Sequence, residues 1–124
     1  MSYKKLEIWQ LARELTIDIH RMTLTELPRF EQYETGSQIR RSVKSVRTNI
    51  VEGYGRRSYT NDYIKHLIYA QASNDETIDH LETLYETESL ANKQLFDNFS
   101  KRLNLLGKKL NKFIQAIQKS NQNS

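Results

Sequence analysis

The chain has no cysteine, which excludes disulfide staples, thiolate metal sites and cysteine nucleophiles together. Four glycines and one proline in 124 residues are too few for a sheet fold, whose strands need frequent turn residues. No apolar run approaches the roughly 20 residues needed to cross a bilayer. The opening stretch, MSYKKLEIW, lacks the apolar core of a secretory signal. The chain therefore reads as a soluble, cytoplasmic, helical protein. Its length suits one domain able to bury most of its apolar surface without staples.

What is present is abundant Leu, Lys, Glu, Gln and Arg, arranged in four amphipathic segments. The first is expected over about Lys4 to Thr25, with Ile8, Leu11, Ala12, Leu15, Ile19 and Met22 on one face. Leu27-Pro28 stops it, because proline disfavours helix in the residue before it. The second begins near Phe30 or Gly36 and ends around Gly53 to Arg57. Ser58 or Thr60 is placed to cap the third, which runs to about Ser89 on Tyr63, Leu67, Ala70, Ile78, Leu81, Leu84 and Tyr85. Asn92 is placed to cap the fourth, where Phe96, Phe99, Leu103, Leu106, Leu110, Phe113 and Ile117 alternate spacings of three and four, a coiled-coil-like seam. Residues 120–124, SNQNS, have nothing to bury and read as a disordered tail behind a single domain of residues 1–119. Four such helices with short connections predict an all-α, antiparallel up-down-up-down four-helix bundle.

Two patterns share the second segment. Ile39, Val43, Val46, Ile50 and Tyr54 form a stripe for burial, and Gln38, Arg41, Ser45, Asn49, Glu52 and Arg56 form a polar stripe beside it. Charge is partitioned by segment. Residues 37–57 hold six Lys/Arg against one acid, and residues 91–124 seven against one; residues 58–90 hold one Lys/Arg against seven acids. Some of this charge is expected to pair within the bundle, leaving basic residues on its outer surface.

Nothing here calls for an enzyme, a metal or another cofactor. Asp62/His66 and Glu76/His80 are the only carboxylate–histidine pairs four apart, and His20 stands alone. The Glu-x-x-His pattern of di-iron bundles is absent at every histidine. Gly53 and Gly55 fit a helix terminus rather than a phosphate-cradling loop, since no GxxxxGK follows a strand.

KLEIWQLARELTIDIHRMT, the LPRFE turn, SQIRRSVKSVRTNIVEGYGRRS, YIKHLIYAQAS and HLETL together resemble the bacterial four-helix bundle family of 23S rRNA intervening-sequence proteins, over about Leu6 to Leu90. The specific core is QIRR, NIVEG and GRRS in that order. It falls on Gln38, Arg40, Arg41, Ser45, Asn49, Glu52, Gly53, Gly55, Arg56 and Ser58. Departures are Arg47-Thr48 before the asparagine, and Ala72-Ser73 followed by Asp75-Glu76 in the third helix. The family includes accessory proteins of diversity-generating retroelements. The resemblance therefore implies a homo-oligomer, a pentamer, that associates with RNA or another nucleic acid, or with a protein partner such as a reverse transcriptase.

Phosphate contacts are expected first from Arg40, Arg41, Lys44, Arg47, Arg56 and Arg57, and second from Lys101, Arg102, Lys108, Lys109 and Lys112. On this reading, reversing Arg40, Lys44 and Arg47 removes RNA retention and leaves helicity intact. Trp9, off the main stripe of its helix, suits a subunit contact. So do Gln38, Arg41, Ser45, Asn49 and Glu52, because unpaired polar groups at an interface each cost about 1–3 kcal/mol and so fix its register. The polar stripe admits both readings.

Overall fold

The computed structural model describes residues 2–122, of which four long helices and two short 3-10 turns make up nearly all, with no strand among them. The helices are α1 (Glu7–Thr25), α2 (Thr35–Gly55), α3 (Thr60–Glu86) and α4 (Lys93–Gln122); the 3-10 turns are Tyr3–Lys5 and Arg29–Tyr33. No described helix is long and apolar enough to cross a membrane. α4 continues through Ser120 to Gln122, the first three residues of the segment read as a tail; residues 123 and 124 lie outside the described residues.

Each stop has a local cause. α1 closes with the Glu26 N–H on the Met22 carbonyl, just ahead of Leu27-Pro28. The 3-10 turn that follows is held by Glu31, whose buried carboxylate accepts the Ser89 hydroxyl at 2.6 Å from the far α3–α4 connection. Gly36 is required where α2 starts, because a Cβ there would enter the Glu31 carbonyl oxygen. Neither Ser58 nor Thr60 caps α3; its N-cap is Tyr59, with no side-chain bond. Asn92 does cap α4, its Oδ1 accepting the Leu95 N–H at 3.1 Å.

The stripes read from sequence are the core. Ile39, Val43, Val46, Ile50 and Tyr54 are all buried. So are Ile8, Ala12, Leu15, Ile19 and Met22 of α1, and Phe99, Leu103, Leu106 and Leu110 of α4. Full burial of one such aliphatic side chain is worth about 1.5–3 kcal/mol, and this supplies the drive for helices that are individually polar on average.

α1 packs on α2 and α4, and α3 packs on the same two; among the described residues the backbones of α1 and α3 do not approach closely, nor do those of α2 and α4. Neighbours meet in opposite chain senses, as in Thr16–Val43 and Thr23–Arg40 for α1 and α2. The same holds for Ser42–Thr77 and Asn49–His66 between α2 and α3. α2 and α4 therefore stand at opposite corners of a four-membered ring, a fact that decides how the basic residues are grouped.

Candidate functional site

Two of the six residues in the polar stripe of α2, Ser45 and Asn49, are consumed inside the chain. Ser45 Oγ lies 2.8 Å from Ser73 Oγ, and Asn49 Nδ2 donates to the Ser45 carbonyl at 2.9 Å. The Asn49 amide oxygen faces His66 Nδ1 at 3.3 Å, and Thr77 Oγ1 lies 2.8 Å from Ser42 Oγ. These groups form a hydrogen-bonded seam between α2 and α3. Ser45 and Asn49, expected at a subunit contact, thus sit at a helix contact within one chain, where small side chains let the backbones approach closely. Gln38, Arg41 and Glu52 remain exposed.

The basic residues of α2 and of the two positions after it divide in the same way. Arg40 donates to Thr23 Oγ1 at 2.9 Å, to Gln32 Oε1 at 3.2 Å and to the Gln32 carbonyl at 2.9 Å, so it clamps the Arg29–Tyr33 turn between α1 and α2. Arg47 stacks 5.2 Å over the Trp9 ring, and Arg57 lies 4.1 Å over Tyr54 while donating to the Tyr54 carbonyl. Arg56 is shared between Glu52 at 3.7 Å and Asp62 at 3.9 Å, both loose pairs at half-exposed positions. Arg41 and Lys44 are exposed and have no intramolecular partner among the described residues.

Trp9 is not on an open face. It is 7 % exposed, covered by Tyr3 edge-on at 5.3 Å and by Arg47, and its stem position puts it on the side of α1 that meets α2. From its place beside the aliphatic stripe Trp9 reads as a subunit contact, but the flank of that stripe is a second buried side.

α4 presents a simpler surface. Arg102 pairs with Asp18 at 2.8 Å and Lys109 with Glu7 at 2.9 Å, both stitching α4 to α1. Lys101, Lys108 and Lys112 are exposed without a partner among the described residues, and Lys119, missing from the sequence-derived set, joins them. Steps of seven, four and seven residues keep the four ammonium groups on one side of a 3.6-residue helix, opposite the seam, along about 27 Å. The signal was present in the spacing, but clusters of lysine in sequence do not reveal which members have an acid across the helix contact.

Asp62 faces Arg56 rather than His66, while His80 meets Glu76 at 3.8 Å. No group of three or more metal-capable side chains occurs among the described residues. The Tyr63 hydroxyl, near Arg57 at the end of the bundle, is pushed up to about 12 by burial first and Tyr54 second, with Arg57 pulling the other way. It is neutral at ordinary pH and offers no base.

The family model for the 23S rRNA-intervening sequence protein matches residues 4–112, extending the similarity into α4 as far as Lys112. No curated protein matches the chain. A crystal structure at 1.70 Å of a protein with unknown function from the S23 ribosomal protein family of Bacteroides thetaiotaomicron VPI-5482 superposes with a TM-score of 0.79 at 23% identity. The alignment covers 87% of this chain and 95% of that one, and at this identity it speaks for the fold alone.

Proposed function

This chain belongs to the 23S rRNA-intervening sequence protein family, and from that premise we propose that it is a non-enzymatic bundle that holds structured RNA against the outer face of α4. The observation that carries the reading is the row Lys101, Lys108, Lys112 and Lys119, exposed and without an acidic partner among the described residues. Each lysine that reaches a phosphate releases counterions, giving affinity with little sequence preference. Four contacts correspond to a slope of roughly −3 in log affinity against log salt. Arg41 and Lys44 form a weaker second patch at the opposite corner. Arg40 drops out, because its guanidinium is spent inside the fold on Thr23 and Gln32; Arg47 lies part-buried over Trp9, and Arg57 stays exposed beside Tyr54. Arg102 and Lys109 drop out because Asp18 and Glu7 hold them.

A homo-oligomer, a pentamer by family resemblance, multiplies a weak patch by avidity. A cytoplasmic location goes with this role. A protein-adaptor role, of the kind that docks a polymerase, is the second reading. It is favoured by Tyr33, 89% exposed, with Phe30 and Leu24 also exposed around the α1–α2 connection.

The test is retention of a folded rRNA fragment across a salt series by wild type, by Lys101→Glu/Lys108→Glu/Lys112→Glu and by Arg41→Glu/Lys44→Glu. The α4 variant is expected to lose retention and most of the salt slope, and the α2 variant to lose far less. Unchanged retention by the α4 variant overturns the assignment of the surface. Absence of binding by wild type even at low salt removes the RNA reading and leaves the adaptor reading.

A further inference from the structure

Where α2 gives way to α3, against the last turns of α4, lies an open groove of about 370 Å³. That volume is at the small end of the roughly 300–1,000 Å³ of ligand pockets. Arg57, Thr60 and Tyr63 line it from the α2–α3 junction, and Phe113, Ala116 and Ile117 from α4. The Tyr63 and Phe113 rings meet edge to face with centroids 6.0 Å apart, which fixes the aromatic part of the wall. Two donors in this groove are unused. Tyr63 is 8% exposed, yet its hydroxyl makes no hydrogen bond among the described residues. It is not sealed from solvent, so it opens into the groove that the residue lines. A phenol buried to this degree ordinarily has a partner. Arg57 is exposed but held in place, because one terminal nitrogen donates to the Tyr54 carbonyl at 2.9 Å and the guanidinium lies 4.1 Å over the Tyr54 ring. Its other N–H donors have no partner among the described residues, which leaves part of a rigid five-donor fork available. With its pKa pushed up to about 12 by burial first and Tyr54 second, Tyr63 keeps its proton; Arg57, which pulls the other way, is within electrostatic reach of it.

The lining selects a ligand class. Arg57 is its one charged residue among the described residues, which favours an anion over a cation. Asp62, the acid in the first turn of α3, faces Arg56 at 3.9 Å and does not line the groove. Thr60 opens α3, whose uncapped start adds the positive end of a helix dipole. Phe113, Ala116 and Ile117 offer nothing to the oxygens of inorganic phosphate or of an RNA backbone, whereas an alkyl chain leaves water on meeting them. A carboxylate is planar and matches a guanidinium fork through two parallel hydrogen bonds. We infer that this groove binds a short aliphatic monocarboxylate, its carboxylate on Arg57 and the Tyr63 hydroxyl and its chain along Phe113 and Ile117.

The inference stands apart from the RNA reading, and its test uses small molecules. Hexanoate, 1-hexanol, hexylammonium and inorganic phosphate are titrated at neutral pH into the isotope-labelled full chain. Hexanoate is expected to shift the Thr60, Tyr63, Phe113 and Ile117 signals while Ser89, at the far end of the bundle, stays unmoved. It is expected to saturate at least about tenfold earlier than hexanol, the low end of what a hydrogen bond to a charged group contributes. Tyr63→Phe deletes the hydroxyl alone. Because that hydroxyl holds nothing in the fold, the variant is expected to keep or raise the wild-type unfolding midpoint while weakening hexanoate about two- to tenfold. Arg57→Gln, at an exposed position, is expected to bring hexanoate and hexanol to the same response. A lowered midpoint for Tyr63→Phe reveals a partner within the fold and overturns the inference. So does a hexanol or hexylammonium response equal to that of hexanoate, displacement of hexanoate by phosphate at equal concentration, or no saturable shift at all, whether or not folded rRNA is retained.

Discussion

Arg40 shows how one residue changes meaning between sequence and structure. In the QIRR motif it reads as a phosphate ligand; in the fold it satisfies the buried Thr23 hydroxyl and two oxygens of Gln32. Removing it leaves those acceptors without a donor, at about 1–3 kcal/mol. Arg40→Met, which keeps the aliphatic stem, is expected to lower Tm by several degrees in thermal unfolding followed by circular dichroism. Arg41→Met, one position along and exposed, is expected to stay within about 0.5 kcal/mol of wild type. Equal effects of the two would remove the clamp. The same geometry means that reversing Arg40 or Arg47 to glutamate disturbs the fold before it reports on RNA, so the triple reversal suggested by the sequence is not a clean probe. Lys44 alone of that trio is free to report.

The α2–α3 contact is the most extensive in the molecule, and its closeness follows from small residues placed along both helices. Ser42, Ser45 and Gly53 face Tyr63, His66, Ser73 and Thr77. At Gly53 a Cβ would meet His66 Cβ and Tyr63 Cδ1 at 3.3 Å, whereas at Gly55 it meets nothing within 4 Å. Gly53→Leu is therefore expected to wedge the helices and cost about 1–3 kcal/mol. Gly55→Ala should be neutral or add up to about 1 kcal/mol by restricting the unfolded chain. Urea midpoints at constant m-value measure both; a Gly53→Leu midpoint at or above wild type would show that the helices are not in the close approach described. The two glycines look alike in the NIVEGYG sequence, since a helix end and a helix crossing both accept glycine.

The grouping of charge is a property of the molecule as a whole. The acidic α3 lies between the two basic helices, and α2 and α4 occupy opposite corners, so the free cations of the chain look in two directions. Exposed Phe30, Tyr33 and Leu24 at one end, the patch that favours the adaptor reading, are equally open to a second copy of the chain. Sedimentation equilibrium is expected to return a mass several times the 14.7 kDa of the chain, reduced by Phe30→Asp/Tyr33→Asp. A single-chain mass at every concentration would end the oligomer proposal. Four helices, their buried stripes and their approximate ends were legible in the sequence, because period and capping are local properties of consecutive residues: Ile39, Val43, Val46, Ile50 and Tyr54 needed no partner to declare their face. The fate of each polar residue was not legible. Whether Ser45 meets water or Ser73, whether Arg102 meets a phosphate or Asp18, and whether Gly107 is a weak point or a close approach to Asn74 depend on which atom of a distant helix lies across the contact, and only the packing of the four helices brings those atoms together.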